Sequence, residues 1–235
     1  ERKAQVVGQL QDGIRQLLKA NKIDSIEGTA TITEPGKVTV KTNEETINLA
    51  ADKILIATGS VPSKPPIPGL DLPGVVTSDE ILEEQGKEFK HLIIIGGGVI
   101  GIELATVYEA LGTKVTVIEA MKQILPNLDK EVSRNMAMIL KKKGVDVHTS
   151  AMVKQVEASA DGLTVTYEEK GKDVTAEGDG VLLAIGRRAN IEGLFEGEPL
   201  VDVERGAIVV GEDFKTSVDG IYAIGDVVYR NIQLA

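Results

Sequence analysis

Four residues between positions 96 and 119 have the types and the spacing to hold a phosphorylated ligand. Glycines stand at 96, 98 and 101, and an acid, Glu119, lies 23 residues after the first of them. This Gly-x-Gly-x-x-Gly spacing lets a chain turn tightly off a strand, approach a pyrophosphate closely and enter a helix that packs on the sheet. A carboxylate about 20 residues further on can accept hydrogen bonds from ribose hydroxyls. The chemistry indicated is dinucleotide binding.

The elements that must position these residues are predicted on both sides of the glycines. The apolar run at 92–95 is typical of a strand buried on both faces. A helical pattern follows and stops at Gly112, and a second apolar strand, 115–118, leads to Glu119. Alone, the motif could be an ordinary glycine-rich turn or a degenerate site, but this order of elements favours binding. The helix face expected to pack on the sheet comprises Ile100, Leu104, Val107, Tyr108 and Leu111.

Composition and charge narrow the possible partners. The 235 residues are enough for one large domain or two modest ones, and the net charge of −10 argues against nucleic acid and anionic membranes. No apolar run approaches the roughly 20 residues that span a bilayer. No secretion signal is visible at Glu1, so we expect a cytoplasmic protein. Because the chain starts inside an evident helix without a methionine, we interpret it as part of a longer polypeptide.

Cysteine is absent from the sequence, and only two histidines are present. Without cysteine the chain can form neither disulfides nor thiolate metal sites, and it can carry no thiol redox chemistry. The histidines lack a metal-ligand spacing. We therefore expect no catalytic thiol and no metal site in these residues.

Before the glycines, the pattern predicts an amphipathic helix over 1–20, a strand at 28–32, a small hairpin and a buried strand at 54–57. Residues 61–75 contain five of the eight prolines, which is typical of an extended linker. A short helix is predicted at 77–85.

After Glu119, a helix is predicted to open at Asp129. Strand 145–147 would be the third of a doubly wound unit, and an antiparallel meander follows from 152 in place of a helical crossover. The strand at 181–184 returns to the buried sheet and resembles the strand at 54–57, a weak internal repeat. The stripe predicted on the helix is Val132, Met136, Ile139 and Leu140.

Five sequence blocks together resemble the two-dinucleotide-binding flavoprotein disulfide reductases, most closely the dihydrolipoamide dehydrogenase branch. They are ILIATGS (54–60), GGGVIGIELATVYEALGTKVTVIE (96–119), ILPNLDKEV (124–132), AIGRRAN (184–190) and TSVDGIYAIGD (216–226). The resemblance implies an α/β fold, with doubly wound, Rossmann-like, three-layer FAD/NAD(P)-binding domains and the antiparallel meander as a crossover. It further implies that a complete NAD-binding domain, 76–190, is inserted in a partial FAD-binding domain, 1–75 with its linker and 191–235.

The resemblance also implies site residues. The NAD pyrophosphate would lie on the turn 96–101, Glu119 would contact the adenosine ribose, and Val153 would flank the adenine. Glu103 would lie near flavin and nicotinamide, with a solvated helix acid as the alternative interpretation. The full set implied for NAD is Gly96, Gly97, Gly98, Val99, Ile100, Gly101, Glu103, Glu119, Val153, Ala184, Gly186 and Arg187. For FAD the set is Ala30, Thr58, Gly59, Asp226 and Ala235.

The implied activity belongs to the whole protein. There, dihydrolipoamide on a lipoyl-bearing protein would reduce a redox disulfide, FAD would take the electrons, and NAD⁺ would take the hydride, in a homodimer. The family's first glycine-rich motif, redox cysteine pair and C-terminal interface domain are not found in this sequence, so the chain alone is expected to bind NAD without turnover. The parent could also resemble a mercuric reductase, an NADH oxidase or a glutathione reductase, or be a non-catalytic NAD-binding module.

Overall fold

The structure is a computed structural model, and it describes residues 2–83 and 87–229. These residues form two compact units, one of residues 58–190 and the other of residues 2–57 and 191–229. Ala235 and the end of the helix predicted at 77–85 lie outside the described residues.

The elements follow one another in chain order. The smaller unit begins with α1 (Arg2–Ala20), β1 (Thr29–Glu34), β2 (Lys37–Lys41), β3 (Thr46–Ala50) and β4 (Ile54–Ile56). The larger unit contains β5 (Ser60–Pro62), β6 (Val75–Thr77), α2 (Ser78–Glu83), β7 (His91–Ile95), α3 (Val99–Ala110), β8 (Lys114–Glu119), α4 (Lys130–Lys142), β9 (Asp146–Thr149), β10 (Ala151–Ser159), β11 (Gly162–Glu169), β12 (Lys172–Gly178), β13 (Gly180–Leu183) and β14 (Arg187–Ala189). The smaller unit ends with β15 (Val203–Glu204), β16 (Ala207–Ile208), β17 (Ile221–Ala223) and a 3₁₀ turn, Gly225–Val227.

A five-stranded parallel sheet is the centre of the larger unit. Its strand order is β6-β13-β7-β8-β9, and Ile94 in β7 lies between Leu182 in β13 and Val117 in β8. Ile94, Leu182 and Val117 are fully buried. Parallel strands covered on both faces require continuous apolar runs, so the prediction of buried strands at 92–95, 115–118 and 181–184 is confirmed.

The face of α3 that packs against the larger unit's core differs from the predicted one. Val107 and Leu111 are 50% and 74% exposed, whereas the buried residues are Gly101, Ile102 and Ala105. The larger predicted residues Ile100, Leu104 and Tyr108 pack only at the margin of the core. Gly101 and Ala105 are small residues buried beside Ile102, and hydrophobic periodicity alone gives such small residues no weight.

The buried face of α4 agrees with the prediction in part, since Leu140 is buried in the core and Met136 packs against it. Val132 and Ile139 are each 49% exposed, while Leu140 is fully buried and Ser133 is 2% exposed. Asp129 accepts a hydrogen bond from the Glu131 N–H, so the predicted helix start is confirmed. Placing Ser133 inward leaves Val132 and Ile139 on the flanks.

The meander β10-β11-β12 is antiparallel, as predicted, and covers one face of the parallel sheet. Leu70 is buried beside it, and the Val156 N–H donates to the Pro68 carbonyl at 2.9 Å. A Cβ at Gly69 would lie 1.8 Å from the Val156 carbonyl oxygen. The proline-rich stretch predicted as a linker therefore packs within the larger unit along part of its length.

The smaller unit has less buried structure. In α1 no residue is buried, and Leu10, Ile14 and Leu17 are 59–65% exposed. β1-β2-β3 form the predicted hairpin sheet, and β4 pairs in parallel with β17. The prediction of a buried strand at 54–57 holds for Ile54 and Ile56 but is wrong for Leu55, which is 58% exposed, and for Ala57, which is exposed beyond the end of β4.

Candidate functional site

The glycine-rich turn joins β7 to α3, and two of its glycines lie too close to neighbouring backbone to carry a side chain. Gly96 has a φ of +109°, and a Cβ on it would lie 2.3 Å from the Ala184 carbonyl oxygen. A Cβ on Gly101 would lie 2.0 Å from the Gly96 carbonyl oxygen. Neither position can hold a side chain without displacing backbone, so the tight turn and the close approach of helix and sheet require glycine at both.

Gly98 differs from the other two motif glycines. Its φ of −71° suits any residue, and nothing lies within 4 Å of a Cβ placed there. Nothing within the protein therefore requires glycine at position 98. Open space at this position is what a ligand would occupy when it comes against the backbone.

The turn also delivers the N-terminus of α3 to the same place. The first N–H groups of a helix, here those of Val99, Ile100 and Gly101, have no acceptor within the helix. They lie at the positive end of the helix dipole, which favours an anion. Val99 is 50% exposed, so this end of a twelve-residue helix is open to solvent.

Glu119 reaches the turn from the end of the neighbouring strand. Its Oε2 accepts the Gly97 N–H at 2.5 Å, and its Oε1 accepts the Met121 N–H at 2.7 Å. The side chain is buried, at 7% exposure. Because each carboxylate oxygen has a second lone pair, Glu119 can still accept a hydroxyl while fixed in orientation.

Behind Gly97 lies a contact that sequence reasoning missed. The Leu125 N–H donates to the Gly97 carbonyl at 2.7 Å, and Leu125 has a left-handed φ of +48°. Ile124 lies alongside, with its Cγ2 3.0 Å from a Cβ built on Gly97. The ILP letters marked this loop as part of a family block, but no pattern signals a backbone contact or a positive φ at leucine.

The remaining residues predicted for NAD are spread over the larger unit. Val153 in β10 and Ala184 after β13 are buried, and the Ala184 N–H donates to the Ile95 carbonyl at 2.8 Å. Ala184 thus joins the turn directly. Glu103 on α3 and Gly186, with a φ of +119°, are exposed.

Arg187 has close partners within the protein. Its Nε donates to Ser60 Oγ and its Nη2 to the Ser60 carbonyl, both at 2.8 Å. Nη1 forms an ion pair with Asp79 at 2.9 Å, and the side chain is only 13% exposed. The guanidinium holds β14 to β5 and to α2, a structural function that the sequence did not indicate.

The described residues predicted for FAD lie in both units. Ala30 is exposed on β1, and Asp226 lies in the 3₁₀ turn after β17. Thr58 Oγ1 donates to the Asn190 carbonyl at 2.7 Å, and Gly59 has a φ of +69°. Like Gly98, Gly59 and Gly225 have nothing within 4 Å of an added Cβ.

A carboxylate fixes the start of β7. Asp179 accepts the N–H groups of Lys90 at 2.9 Å and His91 at 2.8 Å. Burial alone would raise the pKa of Asp179, but these N–H groups lower it below its ordinary value. Burial lowers the pKa of His91, whose Nε2 lies 2.9 Å from Thr116 Oγ1.

Residues 2–83 and 87–229 contain neither a helix suited to a membrane nor a cluster suited to a metal ion. None of the helices there combines the length and the apolar character that crossing a membrane demands. Within the same residues, no group of three or more histidine, aspartate or glutamate side chains is arranged to hold a metal ion.

The parallel sheet, its flanking helices and its glycine-rich turn define an α/β protein. Over its full length, residues 1–235, the chain matches the family described as pyridine nucleotide-disulphide oxidoreductase. The chain belongs to this family of oxidoreductases.

Several relatives carry the same name. The chain is 39% identical over 235 residues to a dihydrolipoyl dehydrogenase of Bacillus subtilis (strain 168), covering 97% of this chain and 48% of the relative. It is 42% identical over 231 residues to a dihydrolipoyl dehydrogenase of Acholeplasma laidlawii, covering 96% of this chain and 65% of the relative. The chain thus spans about half to two thirds of the length of these curated relatives.

Among solved structures, the chain is similar to the Cu(II) complex of the HOCl-induced flavoprotein disulfide reductase RclA from Escherichia coli. The TM-score is 0.88 at 32% identity, over 99% of this chain and 52% of the other. The resemblance read from the five blocks therefore leads to the right family.

Proposed function

We propose that this chain binds NAD(H) at the turn 96–101 and serves as the nicotinamide-nucleotide module of a dihydrolipoyl dehydrogenase. The observation that carries the proposal is the 2.5 Å hydrogen bond from the Gly97 N–H to Glu119. It brings the acid at the end of β8 against the phosphate-type turn at the end of β7. A pyrophosphate on the turn and a ribose on the carboxylate are the adjoining parts of one adenosine diphosphate group.

Each predicted residue then has a role. The N–H groups of Val99, Ile100 and Gly101 would hold the pyrophosphate, with the space beside Gly98 admitting it. Glu119 would accept the ribose hydroxyls and repel a 2′-phosphate, which favours NAD over NADP. Val153 would flank the adenine, and Glu103, Ala184, Gly186 and Arg187 would border the nicotinamide half. Because the guanidinium of Arg187 is held by Ser60 and Asp79, its backbone is the better candidate for contact.

The FAD assignment rests on the family and on two strand ends. Thr58–Gly59 follows β4, and Gly225–Asp226 follows β17, so both segments resemble the turn after β7. We assign Ala30, Thr58, Gly59, Asp226 and Ala235 to FAD in the whole protein. In this assignment residues 76–190 are an NAD-binding domain inserted between the FAD-domain segments 1–75 and 191–235.

The whole protein would oxidise dihydrolipoamide carried by a lipoyl-bearing partner and act as a homodimer. FAD, when bound, supplies the redox step between a dithiol and a nicotinamide. This chain has no cysteine, so the dithiol would come from sequence outside these 235 residues. The residues present would orient the two nucleotides and would not act on the substrate.

The test is calorimetric titration of the 235-residue chain with NADH and NADPH, together with two glycine variants. Gly98→Ala places a methyl group where the pyrophosphate would approach, and we expect it to weaken NADH binding at least about tenfold without unfolding the chain. Gly13→Ala in α1 is the matched control, since its Cβ also meets nothing within 4 Å. Wild-type chain without heat of binding, tighter binding of NADPH, or equal affinity in the Gly98 variant would each argue against the proposal.

The similarity to RclA supports a second candidate, in which the parent is another flavoprotein disulfide reductase. In the whole protein, NAD⁺ reduction by dihydrolipoamide would select the first candidate. Flavin absorbance without that activity would select the second.

A further inference from the structure

We propose that Ser133, a buried hydroxyl on α4, is a positioning residue for the NAD site and acts through Leu125 on Gly97. This inference rests on the proposed function, and it adds a residue that belongs to no predicted site set. Ser133 is 2% exposed on a helix whose neighbouring buried position is the fully buried Leu140.

Gly97 is hydrogen-bonded both to Glu119 and to the loop between β8 and α4. Gly97 has one backbone donor and one backbone acceptor, and both are used. Its N–H donates to Glu119 Oε2 at 2.5 Å, and its carbonyl accepts the Leu125 N–H at 2.7 Å. The peptide groups at the centre of the turn are therefore held from both sides, by the strand-end acid and by the loop.

Leu125 has a left-handed backbone conformation that its surroundings must maintain. A left-handed φ is unfavourable for leucine, and it persists only where surrounding contacts require it. At Leu125 the φ is +48°. Its buried side chain and its carbonyl oxygen are the two points at which the surroundings can enforce this geometry.

Ser133 supplies one of the contacts to that carbonyl. Its Oγ donates to the Leu125 oxygen at 3.2 Å and accepts from Gln123 Nε2, also at 3.2 Å. The hydroxyl thereby joins two points of the loop to the helix. The Leu128 N–H donates to the same carbonyl at 2.9 Å, so the oxygen keeps a partner when the hydroxyl is removed.

The consequence is a chain of three contacts from helix to turn. Ser133 holds the Leu125 carbonyl, Leu125 holds the Gly97 carbonyl, and Gly97 presents its N–H to Glu119. Loosening the first contact should let Leu125 relax and tilt the Gly97 peptide. The pyrophosphate and ribose contacts would then lose their joint alignment.

The experiment compares Ser133→Ala with Ala137→Gly in the 235-residue chain. Ser133→Ala removes the hydroxyl without adding volume, and we expect NADH and ADP-ribose to bind about fivefold more weakly, by the same factor for both. Ala137→Gly lowers the stability of the same helix without removing a hydrogen bond to the loop, so binding should stay within twofold. In the absence of ligand, amide hydrogen exchange at Leu125 and Gly97 should quicken in the serine variant only.

The outcomes separate this inference from the function beneath it. Unchanged exchange at Leu125 and Gly97 in Ser133→Ala, with normal NADH binding by the wild type, overturns the positioning role and leaves the proposed function standing. A wild-type chain that binds neither NADH nor ADP-ribose overturns both. Equal weakening by Ala137→Gly would show a general effect of helix stability and would also overturn the role of Ser133.

Discussion

Two strands of similar sequence have different surroundings in the two units. β4 reads Ile-Leu-Ile and is followed by Ala-Thr-Gly, while Val181–Leu183 of β13 reads Val-Leu-Leu and is followed by Ala-Ile-Gly. β13 lies between β6 and β7, and all its residues are buried. β4 pairs with β17, and its central Leu55 is 58% exposed where the corresponding Leu182 is 0% exposed.

The difference shows that surroundings decide what a residue contributes. Both strands have the apolar run that burial on two faces requires, yet only one of them is buried on both. An apolar run shows that a strand can be buried on both faces. The neighbouring strands and helices determine how much of it is actually buried. Pairs of identical residues in unlike surroundings test this directly.

The largest effect is expected from the leucine pair. Leu182→Ala should lower the free energy of unfolding of the larger unit by about 3 kcal/mol, because it leaves a cavity in a fully packed sheet. Leu55→Ala should lower stability by less than about 1 kcal/mol, since its side chain is already in water for more than half its surface. Urea unfolding of both variants, followed by far-ultraviolet circular dichroism, measures the difference. Equal losses would contradict the comparison.

The parts of the fold that could be predicted from the sequence are those with a local cause. The strand–glycine–helix–strand–acid order from 91 to 119 was predictable because each step has a local cause: an apolar run, a required glycine, a helix stop. The packing faces of α3 and α4 were predictable only in part, since Ile100, Leu104 and Tyr108 on α3 and Met136 and Leu140 on α4 do pack in or against the core. Gly101 and Ser133 lie inward because a sheet and a loop lie against them, whereas Leu111 and Val132 lie outward despite being more apolar.

The site was predictable to a similar extent. The glycines and Glu119 carry their chemistry in their residue types, and the structure brings them together at Gly97. The contribution of Leu125 could not be predicted from the sequence, because it is made by a backbone N–H in a left-handed conformation. For Arg187, the family block indicated the neighbourhood of a nicotinamide, but its partners Ser60 and Asp79 lie more than 100 residues away in sequence.

An intermediate effect is expected from two adjacent arginines. Arg187→Lys should lower the free energy of unfolding by about 1.5 kcal/mol, because an ammonium group cannot reproduce the forked contacts to Ser60 and Asp79. Arg188→Lys, on the exposed side of the same short strand, should change it by less than about 0.5 kcal/mol. Thermal unfolding of the two variants beside the wild type tests the pair. Similar shifts in both would mean that the surroundings of Arg187 contribute no more than the open surface does.

The smallest effect is expected from two aspartates whose pKa values are both lowered, but by different causes. At Asp179 burial raises the pKa, and the N–H groups of Lys90 and His91 more than offset it. At Asp213 the lowering comes first from the hydrogen bond of the Lys215 side chain and next from the Lys215 backbone N–H, on an exposed surface. A lowered pKa contributes stability that is complete above the ordinary value of 3.8 and is lost as the pH falls through the folded-state value.

Salt distinguishes these two causes. Backbone N–H groups are neutral dipoles that salt screens weakly, while the exposed ion pair of Asp213 with Lys215, at 3.2 Å, is weakened by salt. At high salt, Asp179→Asn should therefore flatten the loss of stability between pH 5 and pH 3, and Asp213→Asn should flatten it less. Urea midpoints across that pH range, at low and high salt, measure both slopes. If the Asp213 variant flattened the slope at high salt as much as the Asp179 variant, the carboxylate type alone would account for the pH dependence, and its surroundings would not.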